Sequence, residues 1–62
     1  MNDNAISAYI AVIGEISTAA QRLTEWADNN GDTSPDAITW GNVGHAQSVL
    51  SALRDVLEMI GN

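Results

Sequence analysis

The stretch that decides the fold is NAISAYIAVIGEISTAAQRLTEWAD, residues 4–28. Its apolar residues return at alternating steps of four and three. Ile6, Ile13, Ala20 and Ala27 hold one seam position, and Tyr9, Ile16 and Leu23 hold the other. That spacing keeps them on one face of an α-helix. Val12, Ala19 and Trp26 flank the seam on one side and Ile10 on the other, so the stripe is broader than a two-stranded seam requires and has the pattern of a bundle. The opposite face carries Ser7, Gly14, Thr18, Gln21, Glu25 and Asp28 and suits water.

The ends of this helix are marked by residue type. Asp3 or Asn4 can accept hydrogen bonds from the free N–H groups of a first turn, which places the start near residues 2–4. Asn29, Asn30 and Gly31 tolerate positive φ, with Gly31 a natural stop, so the helix is expected to run about 4–28. Asp32-Thr-Ser-Pro-Asp36 continues the connection, 29–38. Within it, Ser34 before Pro35 has the form of a cap and a first-turn proline, which predicts a short helical turn.

A second heptad pattern follows. Thr39 is a good N-cap, and Ile38 before it stands at staple spacing from Val43. Val43, Leu50 and Leu57 occupy one seam position, Ala46, Leu53 and Ile60 the other, and Val49 and Val56 widen the stripe. Gly61 closes the helix, expected over 39–60. Two helices of similar length joined by about ten residues predict an all-α fold: one domain, residues 1–62, forming an antiparallel two-helix hairpin.

Composition bears on what this hairpin needs. A chain of 62 residues buries only about 60% of the surface its unfolded form exposes and is marginal alone. Small chains compensate with disulfides, a metal or self-association. There is no cysteine, which removes disulfides and thiolate metal sites and fits a reducing, cytoplasmic setting. A homo-oligomer is therefore expected, a dimer forming a four-helix bundle, with the surplus residues Ile10, Val12, Trp26, Val49 and Val56 as its interface. The run Ala5–Ile13 is too short to span a bilayer and lacks a basic flank, so no membrane or targeting segment is expected.

The charge is lopsided. Eight Asp and Glu face two arginines, Arg22 and Arg54, for a formal net charge of −6. Nucleic-acid binders neutralise phosphates with clustered Lys and Arg, so direct nucleic-acid binding is disfavoured. An acidic surface is either a device for solubility or is aimed at a basic protein. Arg22 stands three residues from Glu25 and Arg54 four from Glu58, the spacings of surface ion pairs.

Four groups of residues carry candidate sites. Asp28, Asn30 and Asp32 match the alternating oxygen ligands that open a calcium-binding loop. Thr33 then stands where the tight turn needs glycine, and Thr39 where a bidentate glutamate should close the shell. An ordinary polar turn explains the same residues, and no metal or cofactor is expected. Trp26 and Trp40 lie on either side of the connection. They stack as structure, or serve with Glu25, Asp28, Asp32 and Asp36 as an aromatic and acidic patch for a basic partner. Gly41 and Gly44 in the first turns of a helix cost about 1 kcal/mol each relative to alanine. That cost, and Gly14 likewise, points to close approach by another helix or to a notch for a partner. His45 lies off the seam; a catalytic role would need a nucleophile or carboxylate held beside it, and the nearby Ser48 and Ser51 read as ordinary helix-surface serines, so no enzymatic role is expected.

The segment Ile38-Thr-Trp-Gly-Asn-Val-Gly-His45, followed by a Leu-rich amphipathic helix to about residue 60, resembles small helical proteins of phages and mobile elements. The resemblance implies a small accessory or counter-defence protein, of the anti-CRISPR type, and transfers no activity. In size and two-helix architecture the chain is also similar to the plasmid copy-number regulators that dimerise into a four-helix bundle. That family binds RNA through a lysine-bearing face, and this chain has no lysine. The expectation is therefore a non-enzymatic protein–protein interaction module that self-associates and binds or inhibits a macromolecular partner, such as a nucleic-acid-handling complex. The alternatives are a purely structural homo-oligomeric module and a weak calcium-binding loop.

Overall fold

A computed structural model of the chain describes residues 3–61. Among the described residues the fold is all-α, with helix α1 over Asp3–Gly31, a 3-10 turn over Pro35–Ala37 and helix α2 over Trp40–Ile60. The chain divides into two units, Met1–Asp32 and Thr33–Asn62.

The first unit is α1. Asp3 and Asn4 both lie inside its first turn, where Asp3 favours the positive end of the helix dipole and acts as a charge, not as the cap. Residue 2, within the expected start, lies outside the described residues. The helix runs three residues past the expected end at Asp28. Gly31 is its last residue and keeps negative φ, as do Asn29 and Asn30. The stop is therefore not a left-handed cap. Instead Asn30 Nδ2 donates to Trp26 O at 2.8 Å, and Asp32 N donates to Asn29 O at 3.3 Å. The asparagine amide folds back on a carbonyl one turn earlier, so this polar side chain is satisfied within the helix instead of drawing the backbone into a turn. Thr18 and Thr24 donate their hydroxyls to the carbonyls of Gly14 and Ala20, both at 3.1 Å, so these two hydroxyls are satisfied locally.

The second unit begins with the turn that Pro35 predicts. Ala37 N donates to Ser34 O at 2.9 Å and Ile38 N to Pro35 O at 3.3 Å. Ser34 starts the turn without a side-chain cap hydrogen bond. Proline fixes the first φ, and the backbone alone closes so short a turn. Thr39 is the N-cap of α2, as expected, with an extended backbone. Its hydroxyl oxygen accepts from Asn42 N at 3.3 Å, while Thr39 N donates to Asn42 Oδ1 at 2.8 Å. That is a capping box with asparagine in the place usually held by Glu or Gln. At the other end Gly61 adopts φ 96°, and its N–H donates to Glu58 O at 3.2 Å. Only glycine takes that conformation without a Cβ clash, so the predicted stop at Gly61 is the one that is left-handed.

Candidate interaction surface

Neither helix contains a buried residue, and no described residue is buried. Local helix geometry sets the apolar side chains on one stripe, and that stripe stays open. On α1, Ile6, Tyr9, Ile10, Val12, Ile13 and Ile16 are all exposed, from 46% at Ile13 to 68% at Tyr9. Leu23 and Trp26 are half-buried. On α2, Val43, Val49 and Leu53 are half-buried, whereas Leu50, Val56, Leu57 and Ile60 are exposed. Of the expected interface residues, Ile10, Val12 and Val56 are thus exposed, and Trp26 and Val49 are partly covered.

The exposed large residues of α1 are not spread evenly. They occupy Ile6–Ile16, and the stripe beyond them narrows to Ala19, Ala20 and Ala27, interrupted by Leu23 and Trp26. Along α2 the order is reversed, with Val43 and Ala46 first and Leu50, Leu53, Leu57 and Ile60 later. Each helix is therefore tapered in side-chain size.

Apart from Asp3, one heptad before Ile10 on the stripe's flank, the acids of the helices lie away from the stripe. Glu25 and Asp28 stand three residues apart on the outer face of α1, and Asp32 follows in the turn beyond it. No basic residue stands in the last turn of either helix, although the negative dipole end favours cations there. Asp28 and Asp32 instead add their charge to the carbonyl end of α1, and Glu58 does so on α2. Each helix ends in a negative pole with no internal counter-charge in its last turn. In the second unit Asp36 sits in the 3-10 turn and Trp40 opens α2; all five expected partner-binding residues are exposed.

The two tryptophans differ. Trp40 is 87% exposed, while Trp26 is half-buried. An indole left so open at the start of a helix contributes little to the local fold. Of the two rings, Trp40 is the one presented like a binding anchor.

The remaining features are modest. A Cβ added at Gly14 or Gly44 would meet nothing within 4 Å, and one at Gly41 would make ordinary contact with Thr39 Oγ1 at 3.5 Å. Among the described residues of its own unit, no backbone approaches Gly14 or Gly44. Ser48 donates its hydroxyl to Gly44 O at 3.1 Å, which points it into its own helix. Among the described residues no group of three or more His, Cys, Asp and Glu could hold a metal ion. Asn30, one of the three candidate calcium ligands, has its amide nitrogen committed to Trp26 O. No described helix is long and apolar enough to cross a membrane.

One feature of this surface escapes the heptad pattern. The reciprocal cap of Thr39 and Asn42 is visible in sequence only if asparagine is allowed at the third helical position. No protein-family model, curated protein or solved structure matches the chain.

Proposed function

We propose that this protein is a non-enzymatic, self-associating interaction module. Two copies, each an antiparallel hairpin, bury their apolar stripes against each other as a four-helix bundle. The outer acidic surface then docks on a protein with a basic face. The observation that carries this reading is that thirteen large hydrophobic side chains among the described residues are exposed, most of them on the stripes of two helices whose opposite faces are polar. Full burial of an Ile, Leu or Val side chain favours the covered state by about 1.5–3 kcal/mol. Covering most of these side chains on association therefore supplies the stability that a small chain lacks alone.

The partner reading rests on charge and on Trp40. A formal charge of −6 with two arginines, acidic helix ends and an open indole suit a surface that presents Lys and Arg. A groove built for phosphates is one such surface, so inhibition of a nucleic-acid-handling machine, as in phage or mobile-element counter-defence, is the sharpest form of the proposal. The cysteine-free composition fits work in the cytoplasm. A second reading, a purely structural assembly module, is favoured by the spread of acids over both helices, with Asp55 and Glu58 on α2 as well as Glu15, Glu25 and Asp28 on α1.

Light scattering across a dilution series tests the self-association. A molar mass twice that of the 6.6 kDa chain is expected at micromolar concentration and above. A compact, fully helical monomer throughout would overturn it. Replacing Glu25, Asp28, Asp32 and Asp36 by Asn and Gln separates the two readings. Loss of binding to a basic protein with the mass unchanged supports the docking surface, and unchanged binding supports the scaffold.

A further inference from the structure

We infer that Asn30–Gly31 is a site of spontaneous covalent modification, at which the asparagine amide is converted to a carboxylate, and that the last turn of α1 gates it. Here alone in the sequence does asparagine precede glycine. Asn2, Asn4, Asn29 and Asn42 precede Asp3, Ala5, Asn30 and Val43. Each of those successors carries a side chain that hinders approach to its backbone N, and Gly31 carries none. Asn30 and Gly31 are both exposed, so packing does not shield the pair from water.

Water is the only co-reactant the step needs. The backbone N of Gly31 gives up its proton and attacks Cγ of Asn30. The new N–Cγ bond closes a five-membered cyclic imide. The Cγ–Nδ2 bond breaks, and Nδ2 leaves as ammonia with the proton that the backbone released. Water then adds to one of the two imide carbonyls. Opening at Cγ gives aspartate, and opening at the other carbonyl gives isoaspartate, in which the main chain runs through the side-chain carbonyl and is one carbon longer.

The folded helix holds the reacting atoms apart. Side chains of a helix tilt toward its N-terminus, and Asn30 Nδ2 donates to Trp26 O at 2.8 Å. The amide is thereby drawn one turn back, while Gly31 N lies on the C-terminal side of Asn30. Both residues belong to α1 and keep negative φ. The imide forms only once the Asn30–Trp26 hydrogen bond breaks and the backbone leaves the helical form. Helix ends fray. Beyond Gly31 the chain is tied back by the bond from Asp32 N to Asn29 O at 3.3 Å, so the gate slows conversion without preventing it.

Conversion also changes the helix. The product carboxylate has no N–H to give Trp26 O. It adds a negative charge between Asp28 and Asp32 in sequence, at the helix end where no basic residue stands in the last turn and where the dipole is already negative. Isoaspartate further breaks the even residue spacing on which bonding from i to i−4 depends. Either product shortens α1 and leaves the gate open.

The intact protein is incubated at neutral pH, folded or in guanidinium chloride, and then digested with trypsin, which cuts after Arg22 and Arg54. Mass spectrometry with fragmentation of the peptide 23–54 assigns the amide-to-acid mass change to Asn29, Asn30 or Asn42. Labelling by an isoaspartyl methyltransferase detects the second product. Conversion is expected at Asn30, several-fold faster in denaturant than in the folded protein. Gly31→Ala places its methyl in open space at negative φ; it should keep α1 helical and lose most of the conversion. No conversion at Asn30 in denaturant would overturn the site. Conversion at Asn29 or Asn42 as fast as at Asn30, or undiminished in Gly31→Ala, would overturn the role of Gly31. Equal rates in the folded and denatured protein would overturn the gate. Asn30→Asp supplies one product directly, and circular dichroism should show less helix than in wild type. Unchanged helicity would overturn the effect on α1.

Discussion

Thr39 and Asn42 close the start of α2 by exchanging hydrogen bonds: Thr39 N donates to Asn42 Oδ1 at 2.8 Å, and Asn42 N donates to Thr39 Oγ1 at 3.3 Å. The threonine hydroxyl also donates to Asn42 Oδ1 at 3.0 Å. Three polar groups are satisfied by one pair of short side chains, next to two glycines that weaken the same turns.

Thr39→Ala should therefore destabilise α2 by about 1 kcal/mol. Asn42→Ala should cost less, because the threonine hydroxyl still caps Asn42 N. Thermal unfolding followed by circular dichroism measures both. In the double variant the losses should be less than additive, and strict additivity would show that the box is not cooperative.

The glycines make opposite predictions. Gly14→Ala places its methyl in open space and should stabilise α1 by about 1 kcal/mol. Gly61→Ala puts a side chain at φ 96° and should destabilise by roughly 1–2 kcal/mol. Chemical denaturation at fixed protein concentration ranks them. A destabilising Gly14→Ala would mean that another chain packs against that face.

Ile13→Asp tests the stripe itself. A charge there would be stranded in the proposed interface at a cost of about 3 kcal/mol or more, roughly a hundredfold in dissociation constant. Sedimentation equilibrium should show monomer where wild type is dimer, with helicity falling alongside. Thr18→Asp, on the opposite face, should leave the mass unchanged.

The tryptophans can be read separately. With Trp26→Phe, the remaining Trp40 should be quenched by acrylamide nearly as freely as a short peptide. With Trp40→Phe, Trp26 should be quenched markedly less, and more so on dilution if association covers it. Trp40→Ala should leave helicity intact, since the ring is 87% exposed, while weakening any basic partner.

Ionic strength should act with opposite sign on the two proposed contacts. Raising salt from about 0.01 M to about 0.15 M shortens the Debye length from about 30 Å to about 8 Å. Repulsion between two chains of charge −6 is then screened and self-association tightens. Docking on a basic surface weakens over the same range. Partner binding insensitive to salt would sink the electrostatic account.

Much of the chain was legible as sequence because helices are local objects. The heptad spacing of Ile6 through Leu23 and of Val43 through Ile60, the cap at Thr39, the turn at Pro35 and the stop at Gly61 depend on residues three or four apart. The structure places the helices, cap, turn and stop there. Gly31 shows the limit of that reading. A glycine after two asparagines is a competent stop, yet Asn30 bonds back to Trp26 O and the helix continues to its own last residue in the right-handed form. Two local solutions competed, and composition could not rank them.

Sequence by itself determined that there are two amphipathic helices, which face of each is apolar, and that the whole carries a −6 charge with two arginines. Only the tertiary structure decided how much of each side chain is covered: Trp40 open and Trp26 half-buried, Gly14 and Gly44 beside empty space, and no described residue buried in a single copy. The reason is that periodicity assigns a side chain to a face, whereas its exposure depends on how the side chains of neighbouring turns lie over it.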